Sequence, residues 1–423
     1  MRTILIRGGR VIDPASGRDE VTDVLIEGAR IARVGRATRM ADEVIEADGL
    51  IVTPGLIDMH VHLREPGDRE EETIASGSAA AIAGGFTTVA CMPNTEPAVD
   101  NEASTEFVFL QAERAGLANI YPIGAITKSR EGKELAELGQ VSRAGAVAFS
   151  DDGSCVADAG LMLQALDYAK MFDKPIIDHC EDVDLSLDGV MNEGYYSVDL
   201  GLPGIPAASE EVMVARDLIL AETADSHLHV AHVSTKGSVD LIRQAKARGV
   251  KVTAEVTAHH LALTDECVAT FDPRYKMNPP LRSAEDVQVL REALADGTID
   301  CIVSDHAPHA SEKKEVEFSQ APFGVTGMES LLPVVIKTLI EPGLLTWPQA
   351  IAAMTVNPAR ILRLAKGALS PGADADVTII DPDVSWTIDA NRFRSKSRNC
   401  PFDGWDVKGR PTITIVAGQV KAV

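Results

Sequence analysis

Between about residues 53 and 366, short apolar runs alternate with longer segments whose apolar positions recur every three or four residues. The runs predict eight strands: Leu56–Leu63, Phe86–Met92, Asn119–Ile126, Gly145–Ser150, Lys174–Asp178, Ser226–His232, Lys251–Val256 and Asp300–Val303. The longer segments predict helices, among them Glu70–Ala83, Glu102–Ala115, Leu161–Phe172, Ser209–Glu222, Ser238–Arg248 and Ala284–Ala295. Strand and helix in alternation imply βα units on a parallel sheet. Eight such units are the content of a closed barrel, which typically takes roughly 250 residues.

The ends have a different texture. Short alternating strands broken by turn residues occur at Ile4–Gly9, Val24–Gly28 and Ile31–Gly35, and return at Ala375–Ile380 and Thr412–Gly418. The expected fold is therefore α/β: a TIM-type (β/α)8 barrel over 53–366, with a small β-sandwich domain formed from both chain termini, 1–52 and 367–423.

Composition narrows what such a barrel can serve. With 40 Lys+Arg against 63 Asp+Glu, the net charge of −23 repels nucleic acid and anionic membranes, so neither is an expected partner. An anionic substrate would need a local cluster of cations. No apolar run approaches the roughly 20 residues of a membrane span. Met1–Ile6 is strand-like, without a cleavable-signal pattern, and the expected location is cytoplasmic. The six cysteines are scattered and include no Cys-x-x-Cys pair, which suits reduced, mostly buried thiols.

A (β/α)8 barrel carries its chemistry at the C-terminal ends of its strands. Side chains alternate along a strand, so His60 and His62 share a face, and Arg64 has the same parity, one step beyond, where it would hold an anion. The second strand ends at Asn94-Thr95, the fourth at Ser150-Asp151-Asp152 and the fifth at Asp178-His179-Cys180-Glu181. The sixth ends at His232, the seventh at His259-His260 and the eighth at Asp305-His306-Ala307-Pro308-His309. Polar residues are common in loops, and any one of these ends is unremarkable by itself. Seven in one register are not, and His and Asp delivered from separate strands describe an N/O-ligand site for zinc or a similar divalent ion.

These residues resemble a known family. Asp58–Gly67 and Ser304–His309, together with Met92–Thr95, Phe149–Gly153, His179–Asp182, Asn278–Arg282 and Ala321–Gly324, look like the signatures of class I dihydroorotase in the amidohydrolase superfamily. The resemblance covers nearly the whole chain. It implies Zn2+ as cofactor, one or two ions per subunit with two expected. His60 and His62 would hold one ion, His179 and His232 the second, and Asp305 would be both ligand and proton carrier. Many amidohydrolases bridge the two ions with a carboxylated lysine on the fourth strand. Gly145–Asp152 contains no lysine, and the resemblance implies an aspartate instead: Asp152 by alignment, with Asp151 as the alternative one residue earlier.

The same resemblance places Arg64, Asn94 and His309 around a substrate carboxylate, with His62 beside them. Asn278 and the backbone at Phe323 and Gly324 would hold ring amides. An Arg fork suits a carboxylate and supplies the local cation that the acidic protein needs. The implied reaction is the reversible cyclisation of N-carbamoyl-L-aspartate to L-dihydroorotate plus water in de novo pyrimidine (UMP) biosynthesis. In the opening direction a metal-bound hydroxide would attack the cyclic amide, with Asp305 as general base and then general acid.

The remaining histidines carry weaker expectations. His227 and His229 have parity opposite to His232 and suit packing or support of the site. At least one of His259 and His260 is expected to be structural, and His306 to orient its loop. The polar stretch around Lys313 and Lys314 suits a lid or a solvated loop equally. A dihydropyrimidinase or allantoinase would share the His-x-His but carry the bridging lysine. A non-catalytic scaffold for aspartate carbamoyltransferase would have lost ligands that this chain keeps. A complex of the active subunit with that transferase, and a homo-oligomer, complete the expected partners.

Overall fold

A computed structural model describes residues 2–36 and 40–421. Met1, with which the first predicted strand opens, lies outside the described residues, as do 37–39 and 422–423 of the terminal segments. Two parallel arcs make the barrel. Leu56–Val61, Phe86–Cys91 and Asn119–Pro122 form one. Ile176–Asp178, Leu228–Val230, Val252–Thr257 and Cys301–Val303 form the other. Single bridges close the ring: Gly124–Phe149 and Phe149–Ile176 on one side, Val61–His306 on the other.

The fourth predicted strand forms no extended ladder. Residues 146–150 run between the two arcs and bond to both, with Ser150 N donating to Gly124 O (2.8 Å) and Ile177 N to Phe149 O (2.8 Å). Only Phe149 pairs in ladder fashion. The other predicted strands and the helices are present with shifted ends. The shift in the first helix is informative. It spans Ile74–Ala83, with Thr73 as N-cap accepting from Ser76 N, where the periodicity predicts a start at Glu70. Glu71 and Glu72 precede the cap and are buried, facing His309 and His306.

Both termini supply one mixed sheet. Thr3–Asp13 pairs with Arg18–Glu27 and Ile51–Pro54, and Ile51–Pro54 pairs in turn with Val377–Thr387, which pairs with Asp406–Val416. Its apolar face has a core of its own, built on Ile4, Ile6, Val24, Ile26, Val377 and Ile415. Gly55 alone separates this sheet from the first barrel strand, and a Cβ there would collide with the Thr87 side chain. Among the described residues no helix is long and apolar enough to cross a membrane.

Candidate active site

His60 is wholly buried at the end of the first barrel strand, and His62 follows, its N–H donating to His306 O across the closing seam (2.8 Å). Their common face meets Asp152, which arrives from the irregular fourth segment. Asp152 Oδ1 lies 3.3 Å from His60 Nε2, 3.4 Å from His232 Nε2 and 3.8 Å from His179 Nδ1, and Oδ2 lies 3.5 Å from His62 Nε2. Asp305 Oδ1 completes the cluster, 3.0 Å from His62 Nε2 and 3.6 Å from His60 Nε2. The structure thus brings all six predicted metal-ligating side chains to one centre. Asp151 is not among them. Its Oδ1 accepts from Ile126 N (2.9 Å) and Thr127 N (3.1 Å), and its Oδ2 from the Thr127 hydroxyl.

The donor set fits a divalent cation. Two groups have ligand atoms mutually within 4.8 Å, His60/His62/Asp305 and His60/Asp152/His232. His60 Nε2 and Asp152 Oδ1 are buried without a hydrogen-bond partner although they face each other. Such orphaned atoms need an occupant. The far nitrogens of three imidazoles are held: His60 Nδ1 by Glu255, His62 Nδ1 by Asn94 Oδ1 (2.8 Å) and His179 Nε2 by Glu181 Oε2 (3.0 Å). Carboxylate or amide partners of this kind orient imidazoles that bind metals. Burial lowers the His60 pKa, but Asp152 and Glu255 outweigh it and hold the ring well above its ordinary value. Burial raises Asp152, and the surrounding imidazoles more than reverse that. Arg64, His232 and Asp305 adopt φ of 56°, 30° and 45°, a costly conformation for residues other than glycine that concentrates at functional sites.

A cavity of about 230 Å³ opens over this centre. Its walls include every predicted substrate-binding residue: His62, Arg64, Asn94, Asn278, His309, Phe323 and Gly324. Arg64 is fixed by Nε donating to Pro308 O (3.2 Å), beside Glu71. Asn278 Nδ2 donates to Glu181 Oε2 (2.8 Å), tying the pocket wall to the partner of His179. His309 Nε2 lies 2.7 Å from Phe323 O. The backbone at Gly324 (φ 122°) comes so near that a Cβ would sit 2.9 Å from His309 Nε2 and 2.8 Å from Ala307 Cβ, so this position takes only glycine.

Several supports escape the sequence patterns. Lys314 is buried and donates to the carbonyls of Lys276 (2.9 Å), Pro322 (2.7 Å) and Gly324 (2.7 Å), so it clamps the strap that carries Phe323. Burial and the nearby Lys276 bring its pKa down to about 7. Its exposed neighbour Lys313 reaches Asp68 (2.9 Å) and the buried Glu71 (3.0 Å). Residues 395–399 return from the terminal sheet to the barrel mouth. Asn399 Nδ2 donates to Ala307 O (3.2 Å) and Gly324 O (3.1 Å), and Ser397 Oγ to Glu71 O (2.8 Å).

Of the other histidines, His306 and His260 are held by bonds of their own. His306 Nδ1 accepts from Gly327 N (3.2 Å), and His260 Nε2 donates to Pro279 O (3.0 Å). His259 lies beside His260, fully buried, its Nε2 without a partner. One further buried group, Asp178, Cys180 and Asp217, could also converge on an ion. Arg216 already occupies it, 2.7 Å from Asp217 and 3.9 Å from Asp178.

Comparison with known proteins agrees with this geometry. A family profile described as Dihydro-orotase-like matches residues 49–238, and one described as Amidohydrolase family matches residues 212–422. The dihydroorotase of Pelotomaculum thermopropionicum is 57% identical over 99% of this chain and 98% of its own. That of Geobacter metallireducens is 52% identical over 99% of each. Among solved structures, the L-hydantoinase (dihydropyrimidinase) of Arthrobacter aurescens superposes with a TM-score of 0.88 at 28% identity, covering 100% of this chain and 96% of that one. The D-hydantoinase of a Thermus species gives 0.83 at 26%, covering 99% and 95%. The solved neighbours share the architecture, whereas identity above one half over the full length lies with the dihydroorotases, and the chain belongs to the dihydroorotase family of the amidohydrolases.

Proposed function

We propose that this chain is a zinc-dependent dihydroorotase that interconverts N-carbamoyl-L-aspartate and L-dihydroorotate plus water in de novo pyrimidine synthesis. One observation carries the proposal: four imidazoles and two carboxylates meet at the floor of a single cavity whose wall presents Arg64. His60, His62 and Asp305 would hold one Zn2+, and His179 and His232 a second, with Asp152 between them. When bound, the ions supply Lewis acidity toward the amide carbonyl and acidify the attacking water.

The rest falls to the chain's own residues. Arg64, Asn94 and His309 take the substrate carboxylate, and Asn278 with the Phe323–Gly324 backbone holds the ring amides. Asp305 accepts the proton of the attacking water and delivers it to the leaving ring nitrogen; cyclisation runs the same transfers backwards. We further propose a cytoplasmic homo-oligomer able to associate with aspartate carbamoyltransferase. The six cysteines, all free, suit a reducing compartment.

The hydantoinase neighbours supply the rival substrate class, cyclic amides without a carboxylate. Cyclisation of N-carbamoyl-L-aspartate, assayed before chelation, after it and after zinc repletion, tests the proposal directly. Activity should vanish and return with the metal, and dihydrouracil and allantoin should remain poor substrates. Faster turnover of either, with none of dihydroorotate, would refute the assignment. Arg64→Met should raise KM for dihydroorotate at least about 30-fold, since losing one side of a buried charge pair costs about 2 kcal/mol or more. Its residual rate on neutral dihydrouracil should not fall; an equal loss on both substrates would remove Arg64 from carboxylate binding.

A further inference from the structure

Behind the cluster the barrel interior contains polar side chains that the proposed reaction leaves unused. Glu255, on the strand Val252–Thr257, has no exposed surface, an environment that charged residues enter only with partners. Its Oε1 meets His60 Nδ1 and lies 3.4 Å from the backbone N of His232. Its Oε2 lies 3.1 Å from His229 Nε2. Beyond that, His229 Nδ1 is 2.8 Å from Thr253 Oγ1, which is 2.8 Å from His227 Nε2.

A carboxylate only accepts, so His60 Nδ1 and His229 Nε2 both carry hydrogens directed at Glu255. The Thr253 hydroxyl, which can both donate and accept, stands between His229 Nδ1 and His227 Nε2. The row links Glu255 through His229 and Thr253 to His227. At its upper end, with Nδ1 committed to Glu255, His60 turns Nε2 toward Asp152, 3.3 Å away. The same carboxylate steadies the amide of His232, whose φ of 30° its own side chain disfavours.

We propose that Glu255 is a positioning residue that sets the His60 tautomer and braces the His232 backbone, so that one carboxylate aligns an imidazole from each side of Asp152. His229 and Thr253 hold Glu255 in turn. The inference rests on His60 and His232 as cation-holding groups. It gives a strand-seven residue a part in metal retention without contact to substrate.

The test is zinc affinity of the full chain, measured by chelator competition for wild type and the nearly isosteric Glu255→Gln, with a melting curve for each. Affinity should fall about 10- to 100-fold. At saturating zinc, KM for dihydroorotate should stay within about twofold. Zinc affinity within about twofold of wild type would overturn the inference. If Glu255→Gln does not fold, His229→Gln frees one side of Glu255 without touching His60; a several-fold loss of affinity supports the role, and unchanged affinity removes it. A wild-type chain that holds no zinc would instead defeat the functional assignment itself.

Discussion

Asp305→Ala is expected to lower turnover of dihydroorotate by about 10³- to 10⁴-fold, the upper range for general acid–base catalysis, while the melting temperature changes by no more than a few degrees. Asp305 follows the eighth barrel strand in a left-handed conformation (φ 45°), which turns its carboxylate back over the cluster. Burial raises its pKa, but the hydrogen bond to His62 and the charges of His60 and His232 win and hold it well below the ordinary carboxylate range. It is therefore ionised at neutral pH and able to accept a proton, with His62 3.0 Å away to steady the charge. No other carboxylate of the cluster is free to act: Asp152 sits between imidazoles and Glu181 is engaged by His179 and Asn278. Asp305→Asn, which keeps the volume, should lose as much. Steady-state kinetics decide the matter, and a variant within tenfold of wild type would take proton transfer away from this residue.

How far the sequence reveals this site depends on the regularity of the backbone at each position. His60 and His62 could be assigned to one face from the period of two, and both reach the cluster although the ladder to Phe86–Cys91 shifts register between Asp58 and Val61. The choice between Asp151 and Asp152 could not be made that way. The segment before them pairs only at Phe149, so a turn, and not strand parity, aims the two side chains. Glu255 was legible in principle, since a carboxylate inside an apolar strand must face a partner, yet its partner lies 195 residues away in sequence. The same distance hides residues 395–399, whose texture belongs with the terminal sheet while Asn399 braces the barrel mouth. Glu71 and Glu72 fit a helical period, and tertiary contacts with His309 and His306 draw them out of the helix. Periodicity captures elements and faces; contacts closed over hundreds of residues leave no local trace.

Adjacent aspartates should therefore give opposite phenotypes. Asp152→Asn removes the one negative charge that touches all four imidazoles, at 3.3 to 3.8 Å. If the chain holds the two zinc ions proposed, zinc content should fall to one ion per chain or none. Turnover should fall at least about 10²-fold, since the charge stabilisation supplied by bound metal amounts to several kcal/mol. Asp151→Asn leaves the cluster untouched but disturbs the three hydrogen bonds that pin Ile126 and Thr127 beneath the third barrel connection. Its cost should appear as about 1 to 3 kcal/mol of stability, with zinc content and kcat retained, because the weakened groups are buried donors. Metal analysis beside thermal unfolding separates the two variants. If zinc were lost from Asp151→Asn and kept by Asp152→Asn, the carboxylate between the ions would be the earlier residue, and the turn after Phe149 would have to hold the opposite side chain inward.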